Sequence, residues 1–277
     1  MARRLCLVTG ASSGIGAAFA REFARHGWDL ALVARREEKL KDTAEELKAQ
    51  FGVDSLVIAA DLSHPDAPQG VVDEITKAGR TIDGLVNNAG AGQPGGFTET
   101  SWETQAQFLE LMATSYLKLL HLTAPAMAER GFGRIINISS VSALLPSANA
   151  HTRYSGTLYP GIKSLLIKAS EALGLELEGK GVNVTAVAPG YTLSEFHDVN
   201  GARSTVNTLP SYWMLSPKEV AETGYDAVER GVPLRVPGAF YKTLVALARI
   251  LPDPVGRAIM RAQEKRMAGA QGAAQGA

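Results

Sequence analysis

Apolar runs and amphipathic stretches alternate along the first two thirds of the chain. The run Leu5-Cys6-Leu7-Val8 is followed by a helical pattern over residues 15–26, and residues 29–34 (DLALVA) by another over 37–51, with Leu40, Ala44 and Leu47 on one face. Residues 55–60 and 84–90 are the next apolar runs, separated by a polar helical stretch. These runs lack the alternation of a half-solvated strand, so they predict strands buried on both faces, as in a parallel sheet. A long helical stretch is predicted over 102–130, capped by Ser101 and kinked or ended by Pro125. A strand over 134–139, a helix over 158–177 and a strand over 183–188, closed by Pro189-Gly190, complete the rhythm. The pattern predicts an α/β fold: a doubly wound, Rossmann-like parallel sheet of about seven strands with helices on both faces.

The rhythm is lost between residues 191 and 215, a polar connection longer than compact domains carry without a use, and therefore a candidate lid. Tyr212, Trp213 and Met214 give it an apolar end suited to a substrate cover or to simple anchoring. Ser216-Pro217-Lys218-Glu219 then reads as a capping box with proline at the first helical position. A helix to about residue 230, a short strand over 232–236 and one or two helices over 239–267, broken at Pro252 and Pro254, follow. The Gly/Ala/Gln stretch 268–277 is expected to be disordered, leaving 1–267 as one domain.

Composition narrows the function. Lys plus Arg and Asp plus Glu number 28 each in 277 residues, so no field gathers nucleic acid. Cys6 is the only cysteine, which removes an internal disulfide or a cysteine metal cluster, and the five histidines show no ligand spacing, so no metal is expected. No charged-then-apolar leader precedes Leu5, and no run reaches the roughly 20 apolar residues of a membrane span; a cytoplasmic protein is expected.

The chemistry begins at LCLVTGASSGIG. Strand, glycine loop (Gly10, Gly14, Gly16) and helix in that order direct backbone N–H groups and the positive end of a helix dipole at one point, a place for a phosphate. Glycine serves there because a Cβ would hold a pyrophosphate off the backbone. A plain strand-to-helix turn has the same spacing, so the loop alone leaves both readings open. Farther on, Tyr159 and Lys163 of YPGIK stand four apart on one helix face. At about 4 Å and an effective dielectric of about 20, an ammonium stabilises a phenolate by roughly 4 kcal/mol. That would bring a phenol from about 10 toward 7, poised for proton transfer at neutral pH.

Together these motifs resemble the short-chain dehydrogenase/reductase family: TGxxxGxG at Gly10 to Gly16, NNAG at Asn87 to Gly90, a serine after the fifth strand in INISS, YxxxK, and PG at Pro189-Gly190, in that order. The resemblance implies an NADP(H)- or NAD(H)-dependent oxidoreductase acting on a carbonyl/alcohol pair. Ser140 would bond the substrate oxygen, Tyr159 would exchange the proton, and Lys163 would tune Tyr159 and hold the nicotinamide ribose. Cofactor contacts would come from Gly10, Ser12, Ser13, Gly14, Ile15 and Gly16, from Asp61 and Leu62 at the adenine, and from Asn87, Asn88, Ala89 and Gly90, with Asn87 lining the adenosine. Pro189, Gly190, Thr192 and Ser194 would meet the carboxamide end, with Ser194 in place of the family's threonine. The family often pairs through its long central helices, so a homodimer or homotetramer is expected.

Cofactor choice rests on charge. An acid at the end of the second strand would bind a ribose 2′-hydroxyl, but here the strand continues into Arg35-Arg36, whose guanidinium groups suit a 2′-phosphate. NADP(H) is predicted. Two features depart from the family. Ser140 and Tyr159 are nineteen positions apart, a longer spacing than usual, which places an insertion at 142–158 beside the substrate. Tyr154 lacks a lysine four residues on, since Leu158 stands there, so it reads with His151, His197 and Trp213 as packing or substrate contact. Met112 occupies the position of the family's water-holding asparagine and reads as core filler. These departures motivate a rival: a non-catalytic NADP(H)-binding sensor or scaffold on the same fold.

Overall fold

The computed structural model describes residues 3–92, 95–146, 157–193, 210–252, 254–256 and 258. Seven strands form one sheet: β1 (Leu5–Thr9), β2 (Asp29–Ala34), β3 (Ser55–Ala59), β4 (Ile82–Asn87), β5 (Gly133–Ile138), β6 (Val182–Val187) and the short β7 (Leu234–Arg235). Their order is β3-β2-β1-β4-β5-β6-β7, every pair parallel. The order reverses direction at β1, so a crevice opens at the carboxyl ends of β1 and β4, where open α/β sheets bind ligands.

Alternate residues of each strand feed two core layers. Cys6 and Val8 face α1 (Gly14–Arg25) and α2 (Glu37–Phe51) through Phe19, Phe23, Leu40 and Leu47. Leu5 and Leu7 face the opposite layer, where Val71 and Ile75 of α3 (Ala67–Lys77) and Leu119, Leu120 and Met127 of α5 (Ser115–Glu129) pack. Helices therefore cover both faces. The predicted long helix is α4 (Trp102–Leu109), a π turn (Glu110–Thr114) and α5 in continuous succession, and the Ser101 hydroxyl caps it by accepting from the Thr104 N–H at 3.3 Å. Pro125 does not end it: α5 runs through to Glu129, because a single missing N–H four residues from a helix end costs less than the packing of Ala124 and Met127 repays.

α6 (Leu158–Glu176) starts where the sequence places it. Pro160 thereby falls in the first turn, where its missing N–H has no intrahelical partner to lose. Ser216 caps α7 (Pro217–Glu229), its hydroxyl accepting from the Glu219 N–H at 3.1 Å, the first half of the expected capping box. α7 packs on α1 so closely that a Cβ on Gly224 would lie 2.6 Å from the Phe19 ring. α8 (Ala239–Ile250) buries Tyr241 and Val245 in the same layer. The expectations for the middle of the 191–215 connection, for most of 142–158 and for the stretch beyond 258 lie outside the described residues.

Candidate active site

The glycine loop is built by steric necessity. Gly10 and Gly14 take φ of +66° and +57°, the left-handed region that favours glycine. A Cβ on Gly16 would lie 2.2 Å from the Gly10 carbonyl oxygen, so the first turn of α1 rests directly on the loop. The Asn88 side chain braces it from β4, donating to the Thr9 carbonyl at 3.0 Å and the Gly10 carbonyl at 3.4 Å. The Thr9 hydroxyl in turn accepts from the N–H groups of Asn88 and Ala89. Ser13, the residue before α1, places no side chain on the first-turn N–H groups. A cradle without room for a Cβ, at an uncapped helix N-terminus, fits a pyrophosphate.

Arg36 bridges the loop to the end of β2: its guanidinium donates to the hydroxyls of Ser12 (2.9 Å) and Ser13 (3.0 Å). Arg35 lies 4.0 Å from Asp61. Burial opposes ionisation of Asp61, but two hydrogen bonds from Ser63 and the neighbouring Arg35 and His64 outweigh it and hold the carboxyl below its ordinary value. The basic pair and the acid thus sit together at the β2–β3 edge of the crevice. Leu62 is buried beside Val33 and Ile58, so its side chain belongs to the core.

One expected contact moves inside. Asn87 is fully buried, and its amide donates to the Asn137 side chain at 3.0 Å and the Tyr116 carbonyl at 3.3 Å. It braces β4 against β5 and does not line the adenosine. Sequence alternation held the signal: with Asn88 turned out to the loop, its neighbour on a parallel strand turns in.

At the carboxyl end of β5, the Ser140 hydroxyl accepts from the Ser142 N–H at 3.2 Å and lies near enough to Tyr159 to favour its ionised form. Lys163 lies one turn along α6, only 4% exposed, its ammonium donating to the Ile138 carbonyl at 2.8 Å. The same nitrogen sits 5.6 Å from the Tyr159 ring centre and 5.2 Å from that of Tyr116. The three predicted residues are brought together. Their titration is not as the sequence suggested: burial pushes Tyr159 up to about 12, with Ser140 opposing, and pulls Lys163 down to about 7. Desolvation of both partners exceeds their mutual attraction, because the ammonium that would stabilise the phenolate is itself short of solvent.

Several participants carried no local signal. Tyr116 is buried against this pair, donates to the Ala89 carbonyl at 2.8 Å, and is pushed well up by burial and by Tyr159. Met112 lies in the π turn, 1% exposed, with its sulfur accepting from the Ala91 N–H at 3.3 Å and packed on Gly90. The Ser139 hydroxyl donates to the Lys163 carbonyl at 2.7 Å and fixes α6 to β5.

Past β6, Val141 donates its N–H to the Pro189 carbonyl at 3.0 Å, tying the Pro189-Gly190 turn to the residue after Ser140. Thr192 is buried, pairs with Leu215 and donates its hydroxyl to the Gly190 carbonyl at 3.1 Å. Trp213 stacks on Phe240 with centres 5.1 Å apart. Ser194, His151, Tyr154 and His197 lie outside the described residues. Among the described residues no group of three or more His, Cys, Asp or Glu is placed to hold a metal ion, and no helix is long and apolar enough to cross a membrane.

Known proteins resemble this chain in sequence and fold. Sulfoacetaldehyde reductase 2 of Chromohalobacter salexigens is 36% identical over 197 residues, 69% of this chain and 74% of that protein. A short-chain dehydrogenase of Sphingobium yanoikuyae, solved in complex with NADPH, is 32% identical with a TM-score of 0.75, covering 89% of this chain and 93% of that one. The bulky-bulky ketone specific alcohol dehydrogenase of Comamonas testosteroni is 30% identical with a TM-score of 0.72, covering 89% and 92%. The chain spans between 43% and 74% of the length of the curated relatives it matches. A family model described as short chain dehydrogenase matches residues 4–204, which runs from the first strand through the turn after β6, and the chain belongs to that family.

Proposed function

We propose that the protein is an NADP(H)-dependent oxidoreductase that interconverts a carbonyl and a secondary alcohol on an apolar small molecule. The observation that carries this is the placement of Tyr159 and buried Lys163 one turn apart at the head of α6, the lysine nitrogen 5.6 Å from the tyrosine ring centre and tied to the carboxyl end of β5 beside Ser140, with the glycine cradle at the end of β1. Bound NADPH supplies the hydride for reduction, and its oxidised form receives it in the reverse direction. The cradle at Gly10, Gly14 and Gly16, flanked by Ile15, would hold the pyrophosphate, and Arg36, with Arg35, Ser12 and Ser13, the 2′-phosphate. Asp61 would take the adenine, with the backbone of Leu62, Asn88, Ala89 and Gly90 along the cofactor's length. Pro189, Gly190, Thr192 and Ser194 would face its carboxamide end.

Ser140 would donate to the substrate oxygen while Tyr159 gives that oxygen its proton; Lys163 would hold the ribose hydroxyls. Burial keeps the Tyr159 phenol protonated across the neutral range, the form that gives a proton in the direction of reduction. The aromatic group of Tyr212, Trp213 and Phe240 supports an apolar substrate, with His151 and Tyr154 as further contacts. The solved ketone-specific relative supports the same class. A homodimer or homotetramer in the cytoplasm completes the reading; exposed Trp102 of α4 and Leu165 and Leu175 of α6 support pairing through the long helices.

The test is NADPH oxidation against a panel of bulky ketones, with Tyr159→Phe alongside. Turnover that disappears in the variant while NADPH binding persists is expected. Turnover unchanged by the substitution would refute the role of Tyr159; NADPH binding with no turnover in the wild type would leave the non-catalytic sensor or scaffold.

A further inference from the structure

We propose that Tyr241 of α8 is a positioning residue for substrate, its hydroxyl tying both feet of the connection between β6 and α7 to the C-terminal helix. The kinetic part of this inference rests on the oxidoreductase reading above; the structural part does not.

Tyr241 is 3% exposed, and its ring lies flat against the Pro189-Gly190 turn: a Cβ on Gly190 would fall 2.0 Å from the ring carbon that bears the hydroxyl. That hydroxyl accepts from the Tyr191 N–H at 3.0 Å and donates to the Trp213 carbonyl at 2.7 Å. One oxygen therefore joins the outgoing foot of the connection to the returning one. The feet are also paired directly: Leu193 donates to the Leu215 carbonyl at 3.0 Å, Leu215 to the Tyr191 carbonyl at 2.9 Å, and Thr192 bridges Leu215. Leu215 reaches on to the start of α8, where a Cβ on Gly238 would come within 2.7 Å of it. Phe240, next to Tyr241, stacks on Trp213, so two successive residues of α8 grip the same foot. Burial pushes the Tyr241 phenol well up, which keeps its donated proton in place.

This tie bears on the substrate side of the crevice. The turn it holds is the one whose Pro189 carbonyl accepts from Val141, next to Ser140. Loosening Tyr241 therefore frees the turn bonded to Val141, beside Ser140, while leaving the proton-transfer pair in place. That pair is fixed separately, through Ser139 to the Lys163 carbonyl and through Lys163 to Ile138. The split predicted is a change in substrate KM with kcat held.

The experiment compares wild type, Tyr241→Phe and a control, Tyr225→Phe, where α7 packs on α1 through Phe23 and His26. Amide exchange by NMR is read at Tyr191, Leu193 and Leu215, NADPH affinity by calorimetry, and steady-state kinetics on a responsive ketone. In Tyr241→Phe the Tyr191 amide is expected to exchange about tenfold faster, as suits loss of one buried hydrogen bond. KM for the ketone should rise about 5- to 10-fold with kcat within about twofold, and NADPH affinity, whose carboxamide end the same turn would face, should fall by less than KM rises. Gly190→Ala, which forces the ring off the turn while keeping the phenol, should speed exchange at the same amides. Unchanged exchange in both variants overturns the tie. Faster exchange with KM unchanged, or with kcat falling instead, overturns the positioning role. A wild type that turns over no ketone sinks the oxidoreductase reading, while the exchange arm still decides on the tie.

Discussion

Replacing Lys163 by Met should flatten the rise of stability with pH. Lys163 is 4% exposed, and burial pulls it from an ordinary 10.5 down to about 7. That gap, at about 1.4 kcal/mol per pH unit, amounts to about 5 kcal/mol between the fully neutral and fully protonated limits. The direction follows from which state holds the proton. Above 10.5 the amine is neutral folded and unfolded, and its burial costs nothing in charge. Between 10.5 and 7 the unfolded chain binds a proton that the folded chain refuses, so stability drains away as pH falls; below 7 the loss is complete. From pH 7 to pH 9 the wild type should therefore gain about 2 kcal/mol relative to Lys163→Met, since the folded lysine is still half protonated at pH 7. Tyr159, whose phenol is raised to about 12, leaves this window clean: its contribution is fully present below the ordinary value of 10 and is lost only as pH climbs from 10 through 12. Substitution also strands the Ile138 carbonyl and removes the contacts to the Tyr116 and Tyr159 rings, but those losses shift the whole curve without tilting it. Urea unfolding at pH 7, 8 and 9, extrapolated to water for both proteins, measures the difference in slope. Parallel curves would refute the argument and mean that the ammonium finds solvent or a partner strong enough to keep it charged.

Two further substitutions address the cofactor end. Arg36→Ala removes the guanidinium held by Ser12 and Ser13 and should weaken NADPH binding about 10- to 100-fold in calorimetry, with NADH affinity little changed; an equal loss for both would show that the arginine does not read the 2′-phosphate. Gly16→Ala drives a Cβ to 2.2 Å from the Gly10 carbonyl oxygen, a backbone atom, and should cost about 1–3 kcal/mol in urea unfolding together with most NADPH affinity; a variant of wild-type stability and affinity would show that the loop yields freely.

What the sequence disclosed and what it withheld divide along a physical line. Strands β1 and β2 were legible because both faces are buried, which leaves the uninterrupted apolar runs LCLV and DLALVA. The glycine loop, the Ser216 cap and the Tyr159–Lys163 pair were legible because their partners lie within a few residues, where spacing alone sets geometry. Tyr241 was not, since its partners Tyr191 and Trp213 stand 50 and 28 positions away and nothing local distinguishes it from core aromatic. Asn87 was misplaced because the motif NNAG names residues without saying which one faces the crevice. The Lys163 and Tyr159 titration was misjudged for a related reason: spacing gives a distance and a sign of attraction, whereas the winning effect is burial, a property of everything packed around the pair.

The same buried polar groups that sequence alone left unassigned explain how a helix carrying two reactive side chains keeps its register on an otherwise apolar sheet. Apolar packing is non-directional and tolerates small slides. Here a file of hydrogen bonds crosses the layers: Asn87 to Asn137 at 3.0 Å, Asn137 to the Ser170 hydroxyl at 2.9 Å, Ser170 to the Leu166 carbonyl at 2.6 Å. Two turns nearer the crevice, Ser139 reaches the Lys163 carbonyl at 2.7 Å and Lys163 returns to Ile138 at 2.8 Å. β5 thus grips α6 at Ser170 and again at Lys163, two turns apart, and β4 grips β5 through Asn87. A slide of one residue along α6 would break both grips and leave buried donors unpaired, each costing about 1–3 kcal/mol. That penalty, rather than the apolar core, fixes Tyr159 within reach of Ser140, which is why polar residues are retained at the centre of this sheet.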